Sequence, residues 1–301
     1  MGHDHHHHEA PRPDRAFALG VALNTGFVLI EAAFGFYADS LALLADAGHN
    51  LSDVLGLALA WGAAALARRP PGGRFTYGLR GSTIWAALGN AMMLLVAVGA
   101  IAWEALRRIA DPEPVAAGVV IAVALTGVVI NGASAALFLR GRKDDLNVRG
   151  AFLHMVADAA ISLGVAIAGV AILWTGWRWL DPAVSLAIAA LIVAGTWGLL
   201  RESIALALHS APRGIELAAV CAHLEALPGV AGLHDLHVWA MSTTEIALTA
   251  HLVMPAGHPG DAFLENAAHG LEHRFRIGHA TLQIERGDGA APCHLEPDEV
   301  V

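Results

Sequence analysis

Residues 41–67 read LALLADAGHNLSDVLGLALAWGAAALA, and how this stretch is read decides the fold. At about 1.5 Å of rise per residue, an apolar run of this length crosses the roughly 30 Å of hydrocarbon in a bilayer. Its first half nonetheless carries Asp46, His49 and Asp53, and nothing else in the run is ionisable. A water-facing helix would surround such groups with further charges. Inside a span they are expensive, and residues retained there despite the cost mark function.

Five more runs of comparable length lie around it: Ala16 to Tyr37, Ser82 to Leu106, Val115 to Leu139, Leu146 to Leu173 and Pro182 to Leu206. Composition agrees with a six-span chain. The 301 residues are 56% hydrophobic and 15% charged, with a mean hydropathy of +0.55, whereas soluble domains carry about 25% charged residues. An ordinary soluble enzyme is excluded. The net charge of −9 and the lack of a clustered Lys/Arg stripe exclude a nucleic-acid partner. Two cysteines, Cys221 and Cys293, are too few for a disulfide scaffold or a four-cysteine zinc site. The opening residues are His-rich and acidic, without the basic region of a signal peptide, so the first run is expected to remain as a span.

Basic residues in short loops stay on the cytoplasmic side. Arg12, Arg15, Arg68, Arg69, Arg74, Arg80, Arg140, Arg142, Lys143 and Arg149 fall on one side of six alternating spans, and only Arg107, Arg108 and Arg178 on the other. Both termini are therefore expected in the cytoplasm of a cell whose inner membrane holds the protein.

After Leu206 the pattern becomes that of a small soluble domain, opened by Ala211-Pro212. Arg213 to Leu227 reads as an amphipathic helix, Val230 to Met241 and Glu245 to Val253 as strands of period two, and a second helix starts near Asp261, a good N-cap. Thr281 to Glu285 looks like a third strand. The expected fold class is thus a six-helix transmembrane domain plus a small cytoplasmic α+β domain of order αββαβ. The domains divide as a His-rich tail over 1–15, the membrane domain over 16–208, the soluble domain over 209–287 and a C-terminal tail over 288–301. About 75 residues is close to the lower limit for independent stability, a shortage of core that dimerisation relieves.

His49 and Asp53 are i and i+4, so an imidazole and a carboxylate share one helix face. His154 and Asp158 repeat the pair in the fifth span. Two such pairs on two helices are the parts of a four-coordinate N₂O₂ site, which suits Zn²⁺. Two carboxylates bring two negative charges against the ion. Without metal, protons neutralise the same groups, because bare charge in low dielectric is costly. A site that trades metal for protons is the outline of an antiporter. Asp46, one turn earlier, is a candidate orienting partner for a ligating histidine or a residue of the ion pathway. Asn24 and Glu31 in the first span, Asn90 in the third and Asn131 in the fourth are polar positions that line a cavity or bond across helices.

These residues resemble a known family. Asn24 to Asp53, Tyr77-Gly78-Leu79-Arg80, His154 to Asp158, His234-Asp235-Leu236-His237-Val238-Trp239 and Ala280 to Glu285 are similar, in order and spacing, to the cation diffusion facilitators. The resemblance spans residues 15 to 286. It implies a homodimer with six spans per protomer, a cytoplasmic ferredoxin-like domain, and export of a divalent metal in exchange for protons by alternating access. By that likeness the transport ligands are His49, Asp53, His154 and Asp158, a set found in zinc members that often also carry cadmium or cobalt. The resemblance also implies cytoplasmic metal ligands at His234, His251 and Glu285, with His237 and His279 near enough to take part. Strand alternation puts His234 and His237 on opposite faces. Gln283 stands where some members have a ligating histidine, so a second cytoplasmic metal is in doubt.

Zn²⁺ is accordingly the expected substrate and cytoplasmic ligand, with no organic cofactor. The partners are divalent metals, protons, the bilayer and a second copy of the chain. His3 and His5 to His8 form a cation-catching tract or an appended tag. Cys293-His294 offers soft ligands late in the domain, Cys221 reads as a small core residue, and Arg80 is paired by position with Glu202. Two other classes compete. An intramembrane metal hydrolase would need an open coordination position and a general base, and a membrane-anchored zinc sensor would not need six spans.

Overall fold

The computed structural model describes residues 15–139, 146–287, 293 and 295. Six long helices come first: α1 (Arg15–Ala38), α2 (Leu41–Ala67), α3 (Ser82–Ala110), α4 (Ala117–Phe138), α5 (Leu146–Thr175) and α6 (Leu180–Ala207). From α2 to α6 all are long and apolar enough to cross a membrane, and α1 contributes a shorter apolar stretch, Thr25–Ala38. Their side chains are distributed inside out. Phe36, Val96, Val129 and Ile167 are exposed on the helix surfaces, while Glu31, Asp46, Asn50, Asn131, Asp158 and Asp181 are buried. Water would not tolerate that arrangement and hydrocarbon favours it. The chain divides into two compact units, residues 1–57 with 90–197 and residues 58–89 with 198–301.

Within the first unit, α4 packs along α5 and against α1 around Phe27, Leu43, Val98, Val120, Val165 and Ile188. Helices in lipid gain little by hiding apolar surface from one another, so small residues that let backbones approach do the packing. Gly127 is such a point: a Cβ there would meet Phe27 of α1 and Ser162 of α5, each at 2.9 Å.

The start of α2 is fixed by a residue far away in sequence. Asp39 turns the chain at φ 55°, and Ser40 Oγ accepts a hydrogen bond from the Leu43 amide at 3.2 Å, capping the helix. Asp181, from the first turn of α6, then accepts from Ser40 Oγ at 2.5 Å, from the Leu41 amide at 2.7 Å and from the Ala42 amide at 3.4 Å. The amides at a helix N-terminus have no partner of their own and carry partial positive charge. A buried carboxylate satisfies both needs and ties α6 to the helix that carries His49 and Asp53.

The C-terminal domain has α7 (Leu217–Glu225), β1 (Gly232–Ala240), β2 (Ile246–Val253), α8 (Asp261–Phe275) and β3 (Ile277–Glu285), the expected αββαβ order. The sheet order is β1-β2-β3, with β1 antiparallel to β2 and β2 parallel to β3. The parallel pair needs a crossover, which α8 supplies. Leu248, Ala250 and Leu252 of β2 face Val220 and Leu224 of α7 and Leu271 of α8 in one core.

Details differ from the sequence reading. The first helix begins at Leu217 rather than Arg213, and β3 begins four residues before Thr281. Gly260 holds the N-cap position of α8, and Asp261 is the first helical residue without a capping hydrogen bond; its charge still favours the positive helix end. Cys221 is half-buried and stands outside the core. Arg80 pairs with Glu245 at 2.6 Å, not with Glu202, whose partner is Arg213.

Replacing Asp181 by Ala leaves two amides and a hydroxyl unpartnered in the interior. The expected cost is about 2 kcal/mol, read as a lower unfolding temperature of the detergent-solubilised protein.

Candidate metal centres

Each of α2 and α5 turns one imidazole and one carboxylate toward the other helix, and the structure brings the four together. His49 Nε2 lies 3.8 Å from Asp53 Oδ2 and 3.8 Å from Asp158 Oδ1. His154 Nε2 lies 3.2 Å from Asp53 Oδ2 and 3.6 Å from Asp158 Oδ2. The two rings meet edge to face with centroids 6.1 Å apart. A tetrahedral ion held at about 2.0–2.1 Å by nitrogen and oxygen sets neighbouring donors about 3.3 Å apart. Each imidazole already faces both carboxylates at nearly that spacing.

Proximity here is not hydrogen bonding. Asp53 Oδ2 and both oxygens of Asp158 are buried without a hydrogen-bond partner, as is His49 Nδ1. Buried acceptors are ordinarily satisfied. Three orphaned carboxylate oxygens next to two imidazole nitrogens form a donor set of the kind a cation takes. The chemistry fits a divalent ion of borderline softness, since imidazole plus carboxylate suits zinc better than magnesium or calcium. All four donors are protein side chains, so a tetrahedral ion would have no open position for an activated water.

Asp46 does not touch a ligating imidazole. Its Oδ2 accepts from Ser162 Oγ at 2.8 Å and its Oδ1 from Asn50 Nδ2 at 3.4 Å. It therefore links α2 to α5 one turn from the ligands, at the depth where Gly127 closes the bundle. Glu31 is fully buried beside Asp46 and Asn50. Asn90 packs against Gly56 of α2, and Asn131 is buried in α4 with neither amide atom hydrogen-bonded. Asn24 belongs to α1, but its side chain lies outside the described residues, as do the histidines of the opening tract.

A second constellation sits on the outer face of the C-terminal sheet. His234 pairs with His251, which pairs in turn with Gln283. His251 Nδ1 lies 3.0 Å from Glu285 Oε1, and His234 Nε2 lies 3.3 Å from Glu285 Oε2. Glu285 so bridges the two imidazoles, whose rings are 5.1 Å apart. Cys293 joins them: ligand atoms of His234, His251, Glu285 and Cys293 all fall within 4.8 Å of one another.

His237 and His279 stand apart from this cluster. His237 Nε2 bonds Asp235 Oδ1 at 2.8 Å, and His279 packs edge to face on Tyr77. The expectation that His234 and His237 point to opposite faces is overturned. A bulge lets Asp235 and Leu236 together oppose a single residue of β2, so His234 pairs with His251 and His237 with Thr249, two positions apart on one face. Asp235 absorbs the extra residue at φ 52°. Sequence reasoning missed Asp181, Ser162 and Asp235, for which spacing gives no signal, and gave Cys293 too little weight.

Comparison with known proteins places the chain. The family model for the cation efflux transmembrane domain matches residues 17–206, and that for the cation efflux protein cytoplasmic domain matches residues 212–287. The chain belongs to the cation efflux family and is a multi-pass membrane transporter of metal cations, not an enzyme. It is 36% identical over 302 residues to zinc transporter ZitB of Escherichia coli, covering 98% of this chain and 96% of that one. It is 35% identical over 294 residues to the metal cation efflux system protein CzcD of Cupriavidus metallidurans, covering 97% and 92%. A cadmium, cobalt and zinc/H(+)-K(+) antiporter of Bacillus subtilis is 32% identical over 285 residues, covering 93% and 91%.

Orphaned carboxylate oxygens cost stability in the metal-free protein. Asp158→Asn is expected to raise its unfolding free energy by about 1–2 kcal/mol, and to reduce the further stabilisation by added zinc to the share that the C-terminal cluster supplies. Thermal unfolding with and without zinc measures both.

Proposed function

We propose that the protein exports Zn²⁺ from the cytoplasm in exchange for H⁺ by alternating access, with His49, Asp53, His154 and Asp158 as the transport ligands. The observation that carries this reading is the convergence, from two different helices, of two imidazoles and two carboxylates, three of whose oxygens are buried without a hydrogen-bond partner. Two carboxylates neutralise a divalent ion, so the loaded site has nearly no net charge to hold in low dielectric. When the ion leaves, the same groups take protons, which keeps the empty site neutral on its return. Transport then needs only that α2 and α5 expose the site to one side at a time, a rearrangement that breaks no covalent bond.

The names of the relatives support zinc as the cargo, with cadmium and cobalt as alternative ions of similar ligand preference. Imidazole donors argue against manganese and magnesium. The protein acts as a homodimer in the inner membrane, with both termini and the C-terminal domain in the cytoplasm, where His234, His251 and Glu285 bind zinc and hold or report the state of the dimer. Asp46, with Ser162 and Glu31 beside it, sets the spacing of the two ligand helices.

Flux into proteoliposomes under an imposed pH gradient tests the reading. Zinc uptake that depends on the gradient, falls by at least about a hundredfold in Asp53→Ala and Asp158→Ala, and persists in Cys221→Ser is the expected result. Zinc movement indifferent to the gradient at fixed membrane potential overturns the proton exchange. Absence of flux from folded protein overturns transport and leaves the cytoplasmic cluster as a zinc sensor.

A further inference from the structure

The outer face of the C-terminal sheet holds one chemical feature that the reading of His234, His251 and Glu285 as cytoplasmic ligands does not use. Cys293, eight residues past the end of β3, has its Sγ 3.8 Å from His251 Nδ1. A tetrahedral zinc or cadmium ion with a metal–sulfur bond of about 2.3 Å and a metal–nitrogen bond of about 2.0–2.1 Å sets sulfur and nitrogen about 3.6 Å apart. The thiol stands at coordination distance from an imidazole.

The imidazoles are prepared for it. Ring nitrogens of a ligating histidine divide the work: one binds the ion, and the other donates its hydrogen to a carboxylate that fixes the tautomer and the ring orientation. His251 Nε2 lies 3.3 Å from Asp235 Oδ2, which holds the hydrogen on Nε2 and leaves the Nδ1 lone pair facing Glu285 and Cys293. Asp235 reaches that position because the bulge places it at φ 52°, a left-handed conformation that is strained for a non-glycine residue. Its other oxygen is anchored by His237 at 2.8 Å. The strain and the anchor serve to aim one carboxylate at the back of one imidazole.

His234 supplies an independent sign. Its side chain is 9% exposed, and its Nε2 makes no hydrogen bond although Glu285 Oε2 is 3.3 Å away. A nitrogen buried on a polar sheet face with no hydrogen-bond partner is aimed at something else. Glu285 is held in turn by Gln283, whose Nε2 donates to Glu285 Oε1 at 2.7 Å. Gln283 therefore orients a ligand from the position where a further ligand would otherwise stand.

We propose that Cys293 is the fourth ligand of a single divalent-metal site, in which its thiolate joins His234 Nε2, His251 Nδ1 and one Glu285 oxygen. The site is a soft, thiolate-containing one, suited to zinc and cadmium. One carboxylate and one thiolate neutralise the ion, and binding ties a residue beyond β3 back onto the sheet. Asp235 is a positioning residue that acts through His251. His237 acts through Asp235.

Cobalt substitution in the full-length, detergent-solubilised protein tests this, because a sulfur-to-cobalt charge-transfer band in the near ultraviolet reports thiolate ligation and the membrane site and opening histidine tract contain no sulfur. Cys221 is the control. It lies on α7, across the sheet from the cluster, and burial with the neighbouring Glu225 pushes its thiol pKa up. The band is expected in the parent chain, in Cys221→Ser and in an Asp53→Ala/Asp158→Ala variant, and to vanish in Cys293→Ser. Asp235→Asn should keep the band but weaken cobalt affinity roughly tenfold. A parent chain without the band, or a band that survives in Cys293→Ser, overturns the assignment of Cys293. If His251→Ala still removes bound cobalt in that case, the cytoplasmic histidine site stands without its thiolate. If His251→Ala removes none, that site fails as well.

Discussion

Two carboxylates and two imidazoles crowd together inside an apolar helix bundle, with no hydrogen bonds to quiet the carboxylate oxygens that face the ion position. The surrounding membrane unit is organised around tolerating that unfinished electrostatic balance. Asp46 takes hydrogen bonds from Ser162 and Asn50, and Asp181 takes three from the start of α2. These bonds fix the two ligand helices in register. Asp53 Oδ2 and both oxygens of Asp158 have no such partner.

The C-terminal domain solves a similar problem by other means. Its core is ordinary, with β2 presenting Leu248, Ala250 and Leu252 to the helices. The opposite face of the same three strands gathers His234, His251, Gln283 and Glu285 at neighbouring register positions. A flat β1 would have turned His237 away from His234. One extra residue in β1 returns them to the same face and swings Asp235 behind His251. The local strain at Asp235 and the geometry of the cluster are thus one feature seen from two sides.

The two centres differ in a way that follows from their surroundings. In the membrane unit the candidate donors are only nitrogen and oxygen, from helices that pack through small residues. In the C-terminal domain His234, His251 and Glu285 sit on hydrogen-bonded strands beside the Asp235 carboxylate, and the Cys293 sulfur lies 3.8 Å from His251.

Much of this was legible in the sequence. Hydrophobic run length gave six spans, because the thickness of hydrocarbon leaves few alternatives. The paired i, i+4 spacing of His49 with Asp53 and of His154 with Asp158 was visible because helix periodicity is local. Alternation in β2 marked its two faces for the same reason. Tertiary structure alone decided which distant groups meet: Asp181 with the amides of α2, Ser162 with Asp46, Arg80 with Glu245 rather than Glu202, and Cys293 with His251. It also decided the face of His237, since a bulge depends on how two strands pair and not on either strand alone. Local pattern follows from the chain's own geometry, which the sequence carries in full, whereas contacts between residues 42 to 165 positions apart depend on how packed elements come to rest against each other.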